Sequence, residues 1–141
     1  LARTRREVAG VDHSPEAVET TRRLNRSAIA SGRLRVLEGS VDHLPFRDGF
    51  FNVVTAFETT YFWPDLQAGL IEIRRVLSPG GRLVITNEVA DREAAGRWAE
   101  RLDMNVPDGR SLAALAREAG FLTVDISVHP RHGWLRLLAA R

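Results

Sequence analysis

Four short stretches of this chain carry the side chains best suited to chemistry, and each directly follows an apolar run. Asp12 follows Val8-Ala9-Gly10-Val11. A carboxylate there can accept hydrogen bonds from both hydroxyls of a ribose, or it can sit on the positive end of the helix that follows. Ser40-Val41-Asp42 precedes Leu44-Pro45-Phe46. Short polar groups beside an apolar plug are what the edge and faces of an adenine require, and they also make an ordinary solvated turn over core residues. Phe57-Glu58-Thr59-Thr60-Tyr61-Phe62-Trp63 sets one carboxylate among four aromatic rings. Cation-π attraction there suits a sulfonium or a substrate amine, with Glu58 offsetting the charge or acting as a base. Alternatively the rings fold onto the next helix, the reading favoured for Phe62. Asn87-Glu88 either positions an acceptor hydroxyl or amine or merely begins a loop.

These stretches need a scaffold that delivers them to one place. Val8 to Val11 reads as a strand, and Ser14-Pro15-Glu16 then supplies an N-cap, a first-turn proline and a first-turn acid for a helix running to about Ala30. The inner face of that helix is expected to carry Val18, Thr21, Leu24 or Asn25, and Ala28 or Ile29. Leu34 to Leu37 is the next strand. Phe51 to Ala56 is a continuous apolar run, expected to be covered on both faces near the sheet centre. Leu66, Leu70, Ile73 and Leu77 recur at helical spacing, with Pro79-Gly80-Gly81 as the stop, and Leu83 to Thr86 follows as the fourth strand. Beyond it the spacing predicts helices over Asp91 to Leu102 and Ser111 to Ala119. Phe121 to Val128 and Trp134 to Ala139 are joined by so short a link that they can pair only antiparallel. Strands alternating with helices up to Gly81 imply an α/β fold with a mostly parallel sheet and helices on both faces. In such sheets ligands bind beyond the carboxyl ends of the strands, where the four stretches stand.

Composition narrows the function further. The 141 residues, 44% hydrophobic and 27% charged, suit one globular domain over 1–141. The absence of cysteine excludes disulfides, thiolate metal sites and cysteine nucleophiles. No apolar run reaches the ~18 residues that span a bilayer, and Leu1-Ala2-Arg3-Thr4-Arg5-Arg6 lacks the apolar block of a secretory signal, so neither a membrane nor export is expected and a cytoplasmic location is. All 20 basic residues are arginines, yet the formal net charge is only +2 and the arginines alternate with acids. Nucleic acid is therefore not the expected partner. His13, His43, His129 and His132 form no metal constellation by spacing, so no metal is expected. Neither a Gly-x-Ser-x-Gly elbow nor a Gly-Lys-Ser phosphate loop is present.

Val8 to Glu16, Gly39 to Phe46, Asp48 to Val54, Leu77-Ser78-Pro79-Gly80-Gly81, and Ala119-Gly120-Phe121 with Gly133-Trp134 resemble, in order, class I S-adenosylmethionine-dependent methyltransferases. The resemblance implies a Rossmann-like sheet of seven strands with a C-terminal antiparallel hairpin, S-adenosyl-L-methionine as cofactor and a small-molecule methyl acceptor. It implies Asp12, His13, Ser40, Val41, Asp42 and Phe57 at the cofactor, and Glu58, Tyr61 and Asn87 at the acceptor. Ser40 and Asn52 stand where the family usually has acids. The family's first strand and glycine-rich loop have no counterpart in the chain, so an N-terminally truncated domain is expected. Val8 to Val11 should then either pair directly with the Phe51 strand or face a gap, and a homodimer through the exposed edge is possible. Two other readings remain open. One is a cofactor-binding-impaired relic or interaction module of this fold; the other is a nicotinamide-dependent oxidoreductase, which shares Asp12 and the sheet but leaves the Leu44-Pro45-Phe46 plug unexplained.

Overall fold

The computed structural model describes residues 7–141, so the Arg3-Arg5-Arg6 cluster and the rest of the Leu1–Arg6 start lie outside the described residues. Strand β1 (Val8–Asp12) pairs in parallel with β2 (Leu34–Glu38). Strands β3 (Phe51–Phe57), β4 (Leu77–Asn87), β5 (Thr123–Val128) and β6 (Leu135–Ala140) form a second sheet in the order β3-β4-β6-β5. Its β3–β4 pair is parallel, and β6 runs antiparallel to both β4 and β5, which is the expected terminal hairpin. The fold is α/β and Rossmann-like.

Among the described residues, six strands in two sheets stand in place of the single seven-stranded sheet that the resemblance implied. Val8 to Val11 does not pair with the Phe51 strand: among the described residues β1 hydrogen-bonds only to β2, and β3 only to β4. Strand β3 is consequently an edge strand. It is also covered on one face only, contrary to expectation, with Val53 53% and Phe57 57% exposed. Strand parity explains this, because Ala56, Ile85 and Leu137 share a face across the sheet while Phe57, Thr86, Arg136 and Ser127 share the other. Helices α3 (Leu66–Val76) and α6 (Gly109–Glu118) pack on the first face through Leu66, Leu70, Ile73, Leu112 and Ala116, and that layer is the main core.

The helix after β1 is broken in two, α1 (Pro15–Leu24) and α2 (Arg26–Ala30). Asn25 leaves helical geometry at the joint, and its side-chain amide donates to Thr21 O at 2.8 Å. Ser14 caps α1 and Pro15 opens it, as the sequence predicts. Only Val18 of the expected inner face is buried, and Leu24 is 75% exposed. The Asp91–Leu102 segment is likewise split into α4 (Arg92–Ala95) and α5 (Arg97–Arg101), where Gly96 adopts φ +52°. Helix α3 stops at Val76, three residues before Pro79, and Leu77 already pairs with Phe51. The Ser78–Gly81 turn is an irregularity inside the β3–β4 ladder rather than a helix stop. No helix among the described residues is long and apolar enough to cross a membrane.

The connection from Gly39 to Phe51 joins the two sheets. Val41 and Leu44 pack onto the main core, and Phe46, Phe50 and Phe51 form an edge-to-face and stacked triad with centroids 4.7–5.9 Å apart. Arg35 of β2 lies over two of those rings, 5.6 Å from Phe46 and 5.5 Å from Phe50. Gly69 is the contact point on α3, for a Cβ there would lie 2.9 Å from Trp63 Cε3 and 3.2 Å from Val41 Cγ1. Gly69→Ala is therefore expected to destabilise the chain by about 1–3 kcal/mol despite alanine's better helix propensity. Urea unfolding would show it, and an unchanged or raised midpoint would mean that this contact is loose.

Candidate functional site

Two clusters of polar groups stand at carboxyl ends of strands. The first belongs to β1 and β2. Asp12 closes β1, and its Oδ1 accepts the Ser14 N–H at 2.9 Å; no hydrogen bond to Oδ2 is found among the described residues. Asp12 O also accepts Gly39 N–H at 3.0 Å, which holds the end of β2 against the end of β1. The next residues turn sharply: Ser40 and His43 form an isolated antiparallel bridge, and His43 N–H donates to Ser40 O at 3.1 Å. Asp42 is exposed in this turn and Ser40 half-buried. Val41 points the other way, onto Trp63 and Gly69. Only its backbone remains for a ligand. His13 is 77% exposed, with Nδ1 3.7 Å from Asp12 Oδ1.

The turn is anchored from below by a charged network. Glu72 of α3 accepts the Leu44 N–H at 2.8 Å and binds Arg75 at 2.7 and 2.8 Å. Arg75 continues to Asp48 Oδ1 at 2.6 Å and Leu44 O at 3.1 Å. The Arg75 guanidinium, helped by the Leu44 N–H, holds the Glu72 carboxyl below its ordinary range against the opposing effect of burial.

The second cluster belongs to β3 and β4. Glu58 follows Phe57 directly and has φ +56°, a left-handed conformation that side chains other than glycine rarely adopt. Three hydrogen bonds hold it there. Its N–H donates to Thr86 O at 3.0 Å, and its Oε2 accepts Glu88 N–H at 2.9 Å and the Tyr61 hydroxyl at 3.3 Å. Tyr61, expected to face the acceptor, is only 4% exposed and packs with Ala95, Ala99, Met104 and Val106 beneath the site. Its hydroxyl also accepts Val89 N–H at 3.2 Å. Burial pushes the phenol up to about 12, so Tyr61 remains a donor throughout the physiological range. Asn87 is 1% exposed and exchanges two bonds with Thr60, its Nδ2 donating at 2.8 Å and its Oδ1 accepting at 3.1 Å. This pair ties the end of β4 to the 3₁₀ turn Thr60–Phe62. Trp63 is buried and Phe62 is 49% exposed, the reverse of the expectation for Phe62.

The structure thus brings Glu58, Tyr61, Asn87 and Glu88 together, and separately Asp12, His13 and the Ser40–Asp42 turn. Phe57 sits between the two groups in the chain order of the strands, on the open face of β3. Sequence reasoning missed the Glu72–Arg75 anchor, because an acid and an arginine three apart on a helix read as a surface pair. It also missed Thr60 and the His129-His132-Trp134 stack of the β5–β6 turn.

A family model for a methyltransferase domain matches residues 1–85. The chain is 29% identical over 126 residues to the O-methyltransferase cnsE of Penicillium expansum, a match covering 86% of this chain and 46% of that protein. It is 28% identical over 148 aligned positions to the demethylmenaquinone methyltransferase of Lactococcus lactis, covering 86% of this chain and 58% of the relative. A SAM-dependent methyltransferase structure from Thermotoga maritima shares the fold, with a TM-score of 0.72 at 22% identity over 94% of this chain and 72% of that one. The chain spans about half the length of these curated relatives.

Glu72 gives the site a signature in acid. A carboxyl whose folded pKa is depressed contributes stability above its unfolded value of about 4.3 and loses it as pH falls through the folded value. Glu72→Gln is expected to lower stability at pH 7 by about 1.5–3 kcal/mol and to flatten the acid limb below about pH 4.3. Denaturant unfolding from pH 7 to pH 3 measures both. An equally steep acid limb in the variant would assign the acid sensitivity elsewhere.

Proposed function

The chain belongs to the methyltransferase-domain family, and we propose that it serves methyl transfer from S-adenosylmethionine to a small-molecule acceptor. The family and the neighbouring structure imply that cofactor. The donor set fits it: an Asp12 oxygen without a partner among the described residues suits a pair of ribose hydroxyls, and the backbone of the Ser40–Asp42 turn suits the edge of an adenine. Phe57, exposed at the end of β3, is the aromatic face assigned to the same ligand. The observation that carries the reading is the strand-end placement of these groups in a family member, with Glu58 just after β3 and Asn87 at the end of β4.

When bound, S-adenosylmethionine supplies an electrophilic methyl group on a sulfonium sulfur. The protein then has mainly to hold the acceptor in line and keep water away. Glu58 is preorganised for this. Its backbone strain is offset by fixed bonds from Glu88 N–H and Tyr61, and one carboxylate oxygen is left to hold an acceptor O–H or N–H. Tyr61 acts through Glu58 as a positioning residue, and Asn87 holds the floor of the site through Thr60. The oxidoreductase reading has no support from the relatives, which are named as methyltransferases.

Calorimetric titration tests the proposal. The chain is expected to bind S-adenosylhomocysteine in preference to NAD, and Asp12→Ala is expected to weaken that binding by about 1.5–3 kcal/mol, a loss of roughly 10- to 150-fold. Preference for NAD would overturn the reading. Unchanged affinity in Asp12→Ala would remove that carboxylate from the cofactor site.

A further inference from the structure

A cavity of about 590 Å³ opens at the carboxyl ends of β3 and β4, with the β5–β6 turn as its far wall. Glu58 and Glu88 bring two carboxylates to its lining, and Arg136 brings the one guanidinium. Neither acid makes a salt bridge with a described residue. Because Glu58 Oε2 is already taken by Glu88 N–H and Tyr61, Oε1 is the oxygen that faces a ligand's demands. The cavity is also lined by Trp134, 52% exposed. His132 stacks on it at 4.9 Å with an interplanar angle of 25°, and His129 leans against it at 5.9 Å. His129 is itself pinned, since its Nδ1 accepts the backbone N–H groups of Arg131 and His132, both at 3.3 Å.

Two carboxylates facing one guanidinium leave the lining net negative, which concentrates cations and disfavours a carboxylate or phenolate. The half-exposed indole of Trp134 adds an apolar face on which the body of such a ligand can pack. A neutral alcohol or phenol gains a hydrogen bond to Glu58 but none of the charge attraction. Resting on the methyl-transfer reading, we propose that this cavity takes a small primary or secondary amine in its protonated form, its ammonium group between Glu58 and Glu88 and its apolar body against Trp134. The amine is then the methyl acceptor: its ammonium first gives one proton to Glu58 Oε1, and the freed nitrogen lone pair forms the N–CH₃ bond as the S–CH₃ bond of S-adenosylmethionine breaks and S-adenosylhomocysteine leaves, which narrows the open choice between hydroxyl and amine to one.

The probes are benzylamine and benzyl alcohol, which share a ring and differ in the head group. Each is titrated into the ¹⁵N-labelled chain at pH 7 while the indole N–H of Trp134, assigned through Trp134→Phe, is followed. Benzylamine is expected to bind at least about ten-fold more tightly than benzyl alcohol, with the ratio falling towards one in Glu58→Gln and Glu88→Gln. Glu58 occupies strained backbone, so Glu88→Gln, at an exposed position, carries the test if the other variant unfolds. Equal affinities, a Trp134 signal that answers neither probe, or a ratio that survives in Glu88→Gln would overturn the proposal. Tighter binding of p-cresol than of benzylamine would overturn it in favour of a phenol. Titrating S-adenosylhomocysteine into the same sample separates the two readings. Amine selectivity without that binding removes methyl transfer and leaves an amine site, whereas the converse removes the amine alone.

Discussion

The Glu72 carboxylate, gripped by Arg75 and by the Leu44 N–H, is the interaction on which the geometry of the whole site depends. The β1–β2 pair and the four-stranded sheet share no ladder hydrogen bond. Their relative placement is left to the connection between them. In that connection Val41 and Leu44 supply apolar contact, the three phenylalanines and Arg35 supply a second grip, and Glu72 with Arg75 fixes where the backbone runs. The main core contains no residue of β1 or β2, so burial there does nothing to hold that pair in position.

Function follows from this division. Asp12 and the Ser40–Asp42 turn ride on the small pair, while Glu58, Asn87 and the cavity ride on the larger sheet. The larger half is tied together by buried hydrogen bonds. The Thr60–Asn87 exchange and the Tyr61 hydroxyl bond buried groups that would be costly to leave unpaired, and together they hold Glu58 in a conformation its own backbone disfavours. The smaller half has only Val18 and Val36 well buried among its strands and first helix. The position of the small pair against the larger sheet therefore depends on the clasp.

The elements of the fold were legible because they depend on local pattern. Ser14-Pro15 fixed the start of α1, the apolar periodicity from Leu66 to Ile73 marked α3, and the short His129–Gly133 link required an antiparallel hairpin. Strand order was not legible. The continuous apolar run of Phe51 to Ala56 looks the same at a sheet centre as at an edge, and only its pairing with β4 alone among the described strands places it at an edge. The strand-end positions of Asp12, Ser40, Glu58 and Asn87 were legible, because each follows an apolar run. The burial of Tyr61 was not legible, because a ring in a connecting loop gives no sign of which way it turns. The anchor at Glu72 is tertiary, with a partner 28 residues away, and no local spacing reveals it.

Native-state hydrogen exchange on Arg75→Met tests the central claim, that a side-chain clasp rather than a shared ladder couples the two sheets. The expected result is selective. Amides of β1, β2 and Gly39 should lose protection by roughly ten-fold or more, while those of β4 and β6 retain theirs. A uniform loss across both sheets, or unchanged protection in β1 and β2, would contradict the account and would mean that the sheets are coupled by something other than the clasp.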